Sequence, residues 1–103
     1  MATKIGGLVL TADTTGTVVT GGTSGGTYTV YFTNQSDSAA TIQLGISAGA
    51  TFDSDYKLVE STSLDARSQT SFDPVVLDAT INKILAESNV TGVNAVAMGF
   101  DED

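Results

Sequence analysis

Between Thr27 and Ser47 the chain reads TYTVYFTNQSDSAATIQLGIS, two runs of strict alternation separated by one polar connection. Tyr28, Val30 and Phe32 share one side of an extended backbone, with Thr27, Thr29, Tyr31 and Thr33 on the other. Ile42, Leu44 and Ile46 alternate in the same way with Thr41, Gln43, Gly45 and Ser47. Period two with β-branched and aromatic residues is the signature of strands, and the pair is expected to form a β-hairpin. Each strand then has a single apolar side, which can be buried only against a second layer. The flanking segments must supply that layer.

With 103 residues the chain is one domain with one core, burying about two-thirds of its unfolded surface. Charged residues make up only 16%, against roughly 25% in a typical globular protein, and Thr and Ser take their place. Twelve acids face only Lys4, Lys57, Arg67 and Lys83, a net charge of -8. So acidic a chain cannot neutralise a phosphate backbone, and nucleic acid is excluded as a partner. There is no Cys, hence no disulfide and no thiolate metal site. There is no His, which removes the commonest general base and every imidazole triad. The opening MATKIGG is too broken an apolar run for a signal peptide, and nothing approaches the roughly 18 to 20 apolar residues of a membrane span. The expectation is synthesis in a cytoplasm and no membrane partner.

Taken in order, Lys4 to Thr11 is a first strand, with a bulge or close backbone contact at Gly6 and Gly7. Thr17 to Thr20 is a short second strand, and Gly21 to Gly26 is a flexible connection rather than a phosphate cradle, because neither a Lys-Ser/Thr pair nor a helix follows it. Beyond the hairpin, Ala48 to Asp55 is a loop with Phe52 as an anchor into the core, and Tyr56 to Glu60 a short strand. Pro74 divides the segment from Gln69 to Asp78 and belongs on an edge or at a bend. Thr80 to Ser88 favours a strand, and Val93 to Phe100 is the last one, with Val96, Met98 and Phe100 opposite the small Ala95, Ala97 and Gly99. Asp101, Glu102 and Asp103 form a short solvated acidic tail.

The fold class that follows is all-β: one antiparallel sandwich of about seven or eight strands over residues 1–103, Ig-like or jelly-roll-like. Core positions are expected at Leu8, Leu10, Val30, Phe32, Ile42, Leu44, Ile46, Leu58, Val76, Ile84, Val96 and Met98.

No catalytic, cofactor or metal residues are assigned. Asp53, Asp55 and Glu60 lie near one another in the chain, but two carboxylates hydrolyse a glycoside only across a shaped cleft, and no aromatic-rich cleft is evident. Asp53 and Asp55 also lack the Asp/Asn ladder, central Gly and distal Glu of an EF-hand loop. Asn34-Gln35-Ser36 and Asn89-Val90-Thr91 fit the glycosylation sequon but read as turns. The chain is therefore expected not to be an enzyme. Its Thr-rich exterior, which loses little rotamer entropy on burial, suits assembly by surface packing or strand addition.

Three stretches carry a resemblance: MATKIGGLVLTADTTGTVVTGG, YTVYFTNQSDSAATIQLGIS and NVTGVNAVAMGFDED. Together they resemble small virion structural proteins of tailed bacteriophages, in the style of those infecting cyanobacteria and other marine bacteria. Residues 51–88 share less of it. The resemblance implies a β-sandwich built into the virion, most simply a capsid decoration or cement subunit, alternatively a neck, tail or fibre accessory subunit. It further implies a homo-oligomer whose partners are the major capsid protein or other virion proteins. From a different class, a free carbohydrate- or calcium-binding sandwich is the competing reading.

Overall fold

The computed structural model describes residues 2–102. Eight strands follow one another: β1 (Ala2–Leu10), β2 (Gly16–Thr20), β3 (Gly26–Asn34), β4 (Ala40–Ser47), β5 (Lys57–Leu64), β6 (Gln69–Leu77), β7 (Lys83–Ser88) and β8 (Val93–Asp101). One 3-10 turn, Ser54–Tyr56, precedes β5. The strands make two antiparallel four-stranded sheets, sheet A in the order β1-β8-β3-β6 and sheet B in the order β2-β7-β4-β5. The chain changes sheet at every connection except that between β4 and β5. This is the double Greek key of a jelly roll, and it settles the choice between the two sandwich topologies.

The expected hairpin is not formed. β3 lies between β8 and β6 in sheet A, and β4 lies between β7 and β5 in sheet B, so the polar connection is an arch across the sandwich. Alternation shows that each strand has one apolar side but not which strand it pairs with. Facing each other across the core, β3 and β4 serve as each other's second layer.

That core holds Tyr28, Val30 and Phe32 from β3, Ile42 and Leu44 from β4, and Ile84 and Ala86 from β7, all essentially inaccessible. Leu10, Val75, Leu77 and Val93 close it, and Phe32 meets Phe72 edge to face at 5.9 Å. Each large side chain so buried contributes roughly 1.5–3 kcal/mol. Leu8 and Ile46 pack against this cluster while staying partly accessible.

Four expected core residues lie elsewhere. Val76 is exposed because the strand slips phase: the β3–β6 register shifts between Tyr28 and Val30, opposite the cis Asp73–Pro74 bond, so that Val75 and Leu77 point inward. Leu58 is exposed for a similar reason, since Gly45 pairs with Lys57 and Leu44 with Val59, leaving Leu58 as the extra residue of a bulge. On β8, Ala95 and Ala97 are buried, while Met98 is exposed and Val96 lies with it on the outer side. Pro74 does sit on an edge strand, β6. The β1–β8 register runs unbroken through Gly6 and Gly7; what the glycines allow is close approach, because a Cβ at Gly6 would lie 2.5 Å from the Val18 carbonyl oxygen.

Candidate functional site

Since β1, β3, β6 and β8 each supply nine residues, sheet A presents a broad outer face whose rows follow from the register. Thr3, Phe100, Thr27 and Val76 form one row; Ile5, Met98 and Thr29 begin the next. Gly7, Val96, Tyr31 and Ser71 form the third, and Val9, Asn94, Thr33 and Gln69 the fourth. Six of the large apolar side chains exposed on this molecule stand here: Ile5 at 66%, Val9 at 61%, Val76 at 58%, Phe100 at 47%, Met98 at 45% and Tyr31 at 44%. Scattered exposed apolar residues need no explanation, but a contiguous field of them does. The one charged side chain within the rows is Asp73, which accepts a hydrogen bond from the Thr29 hydroxyl at 2.8 Å.

The relief of this face is uneven. Ile5 and Val9 on β1, with Met98 and Phe100 on β8, form a ridge along one side. Across β3 and β6 the short side chains leave an open hollow of about 300 Å³, walled by Tyr31, Thr33, Gln69 and Ser71 over the paired strands at Phe32 and Thr70. None of these four wall side chains makes a hydrogen bond to another described residue. Asn94 Oδ1, beside Thr33 in register, is enclosed without a donor among the described residues.

Sheet B is finished differently. Phe52 does not enter the core: its ring lies over Gly45, where a Cβ would come within 3.0 Å of it, and Lys57 Nζ stands 5.3 Å from the ring centroid. Ser47 Oγ donates to the Thr51 carbonyl at 2.9 Å, holding the loop after β4 down, and Leu85, paired with Gly45, is fully buried. The loop thus covers the Gly45 and Leu85 end of the outer face of sheet B, whereas no loop contact of this kind covers the exposed apolar side chains of sheet A.

Two polar clusters hold the ends of the sandwich. Asn34 is fully buried; its Nδ2 donates to the carbonyls of Ser38 at 2.8 Å and of Leu64 and Asp65 at 3.2 Å, while its Oδ1 accepts from Ser36 N–H at 3.0 Å and Ser36 Oγ at 2.7 Å. This sequon asparagine is thus committed to the arch between β3 and β4. At the opposite end Asp101 is not part of a free tail. It belongs to β8, accepts from the Tyr28 hydroxyl and from Gly22 N–H at 3.1 Å, and pairs with Lys4 at 3.3 Å. Tyr28 donation, with Lys4 and Gly22 N–H, holds the Asp101 carboxyl below its ordinary range, and burial followed by this carboxylate pushes the Tyr28 hydroxyl up. Glu102 N–H continues the lock by donating to the Gly25 carbonyl at 2.9 Å. Asp103 lies outside the described residues.

The acids weighed from sequence do not converge. Asp53 caps the 3-10 turn by accepting from Asp55 N–H at 3.0 Å, and Glu60 pairs with Lys57 at 3.6 Å. Among the described residues, no three potential metal-ligating side chains gather at one point. No family model matches the chain, and no curated protein matches it.

Proposed function

We propose that this chain is a non-enzymatic structural subunit that works by burying the outer face of sheet A, and that its place is in a virion, as a capsid decoration or cement protein. The observation that carries the reading is the outer face of sheet A, where six large apolar side chains stand exposed with Asp73 the one charged residue among them. A surface of this kind gains free energy from being covered and offers no group that would turn over a substrate. The jelly-roll connectivity, found in viral capsid domains and also in lectins and cupins, supports the class; the resemblance of the three sequence stretches supports the virion. Mass spectrometry of purified particles of the phage encoding the chain tests it. On the order of hundreds of copies per particle place it on the shell, roughly six or twelve place it on the neck or tail, and none refutes the reading.

The hollow beside Tyr31 favours one alternative from another class, a carbohydrate platform with an aromatic ring bordered by unbonded hydroxyl and amide groups. Saturation-transfer NMR against soluble oligosaccharides, with Tyr31→Ala as control, would detect it.

A further inference from the structure

We infer that the occupant of the outer face of sheet A is a second copy of this chain, packed face to face about a twofold axis that runs parallel to the strands between β8 and β3. This rests on the proposal that the face functions by being buried, and names what buries it.

Three observations support a second copy. The first is charge. In a contact between identical chains, residues near the twofold meet their own equivalents, so any charge there meets its like. A protein of net charge -8 pairs with itself most readily through a face poor in charge: the residues flanking this axis, Val96 and Met98 on β8 with Thr29 and Tyr31 on β3, carry none, and the acid of the face, Asp73, stands off the axis on the edge strand β6, hydrogen-bonded by Thr29. Complementarity to an unlike, basic partner would instead set acids within the contact, where they steer association.

The second is shape. Rotation about an axis along the strands carries β1 and β8 of one copy over β6 and β3 of the other. This rotation keeps each row at its own level, so Gly7 and Val9 of one copy come over the hollow at Ser71 and Gln69 of the other while Ile5 comes over Asp73, and the same contacts repeat on the other side of the axis. An axis across the strands would stack ridge on ridge and leave both hollows empty.

The third is area. Four strands about 4.8 Å apart and nine residues long at about 3.4 Å each span roughly 19 by 30 Å, on the order of 600 Å² in projection. With side-chain relief that approaches the roughly 800 Å² per partner of a standard stable interface. Two such faces would stack about 10 Å apart, the ordinary spacing of packed sheets.

Sedimentation equilibrium on the full chain tests the inference. The wild type is expected to be dimeric and to associate more tightly as NaCl rises from about 20 to 300 mM, since salt screens the repulsion between two acidic bodies. Met98→Glu, beside the axis, and Ile5→Glu, on the ridge, should each weaken dimerisation by at least about 100-fold. Both positions are exposed, so circular dichroism and Tm in dilute solution should stay those of the wild type. A wild type still monomeric at about 1 mM, a dimer untouched by both variants, or a dimer that loosens with salt would each overturn the inference. A monomer abundant in particles would remove self-pairing alone, whereas a dimer missing from particles would remove the virion assignment alone.

Discussion

Replacing Asn34 by Ala should cost this protein a large part of its stability, although the residue is polar and sits where an arch begins. Its side chain is wholly buried and joins the Ser36–Ser38 arch to the Leu64–Asp65 turn through its contacts with the carbonyls of Ser38, Leu64 and Asp65 and with Ser36. Alanine leaves the contact with the Leu64 carbonyl, which is fully enclosed, without its donor, at about 1–3 kcal/mol. The contacts to Ser36 and Ser38 are partly exposed, so water can replace them and each loss is nearer 1 kcal/mol or less. A total of about 3 kcal/mol is expected, out of the roughly 5–15 kcal/mol available to a domain of this size. At about 4–8 °C per kcal/mol, Tm should fall by roughly 12–24 °C. Urea unfolding followed by tyrosine fluorescence and circular dichroism measures it, with hydrogen exchange of Ser36 and Ser38 showing where protection goes. Asn34→Asp sharpens the test: it keeps the acceptor for Ser36, loses every donor and sets a carboxylate against three carbonyl oxygens, so it should be worse than alanine. A loss under about 1 kcal/mol for alanine, or an aspartate variant as stable as the wild type, would refute the reasoning.

Leu44→Asp should abolish the fold, because it buries an unpaired charge at a fully inaccessible site of β4; retained strand circular dichroism and Tm would contradict the facing of β4. Asp101→Asn tests the lock between Tyr28, Gly22 and Lys4. The folded-state carboxyl lies below its ordinary value of 3.8, so its contribution is complete above the unfolded value and drains away as pH falls through the folded one. The Tm gap between wild type and variant should therefore be widest above about pH 5 and close in strong acid, and a gap constant from pH 7 to 2 would show that the charge is not what matters. Gly99→Ala should destabilise by about 3 kcal/mol in urea, since its Cβ would lie 2.0 Å from the Thr27 carbonyl and must part the two central strands of sheet A. Gly49→Ala, with nothing within 4 Å, is the neutral control.

How far the fold can be read in the residues depends on the kind of information each level needs. Strand existence is largely local: alternation marked β3, β4 and β8, short apolar runs between turn residues marked β1, β2 and the start of β5, and β7, where helical and strand periods compete, was read as a strand from the spacing of its neighbours. Pairing is not local. The runs on either side of the arch have the same period whether they bond to each other or face each other, so the jelly roll was visible only as one of two options. Bulges are also silent in a period-two pattern: one extra residue at Leu58, and another opposite Thr29, turned Leu58 and Val76 outward. Asn34 and Asp101 looked like turn and tail because their partners, Leu64 in one case and Tyr28 and Lys4 in the other, are far away in sequence.

The inversion on β8 is of another kind, and it bears directly on function. Val96, Met98 and Phe100 alternate with Ala95, Ala97 and Gly99, and burial by size alone would turn the larger set inward. The structure turns it outward because β8 runs between β1 and β3, where the space beneath is already taken: Tyr28 and Phe32, from the adjacent strand, are fully buried, and even a methyl on Gly99 would strike the Thr27 backbone. Core packing therefore accounts for the small residues and leaves the large ones unexplained. Outward positions on a solvated strand are free to be Thr, as at Thr27, Thr29 and Thr33 on the neighbouring strand. A chain that uses Thr so freely yet sets Val, Met and Phe in succession on the outer side of a central strand, and Ile and Val beside them on β1, has the face that the proposed burial calls for and that its own core does not use. That is why this face is the place to mutate first.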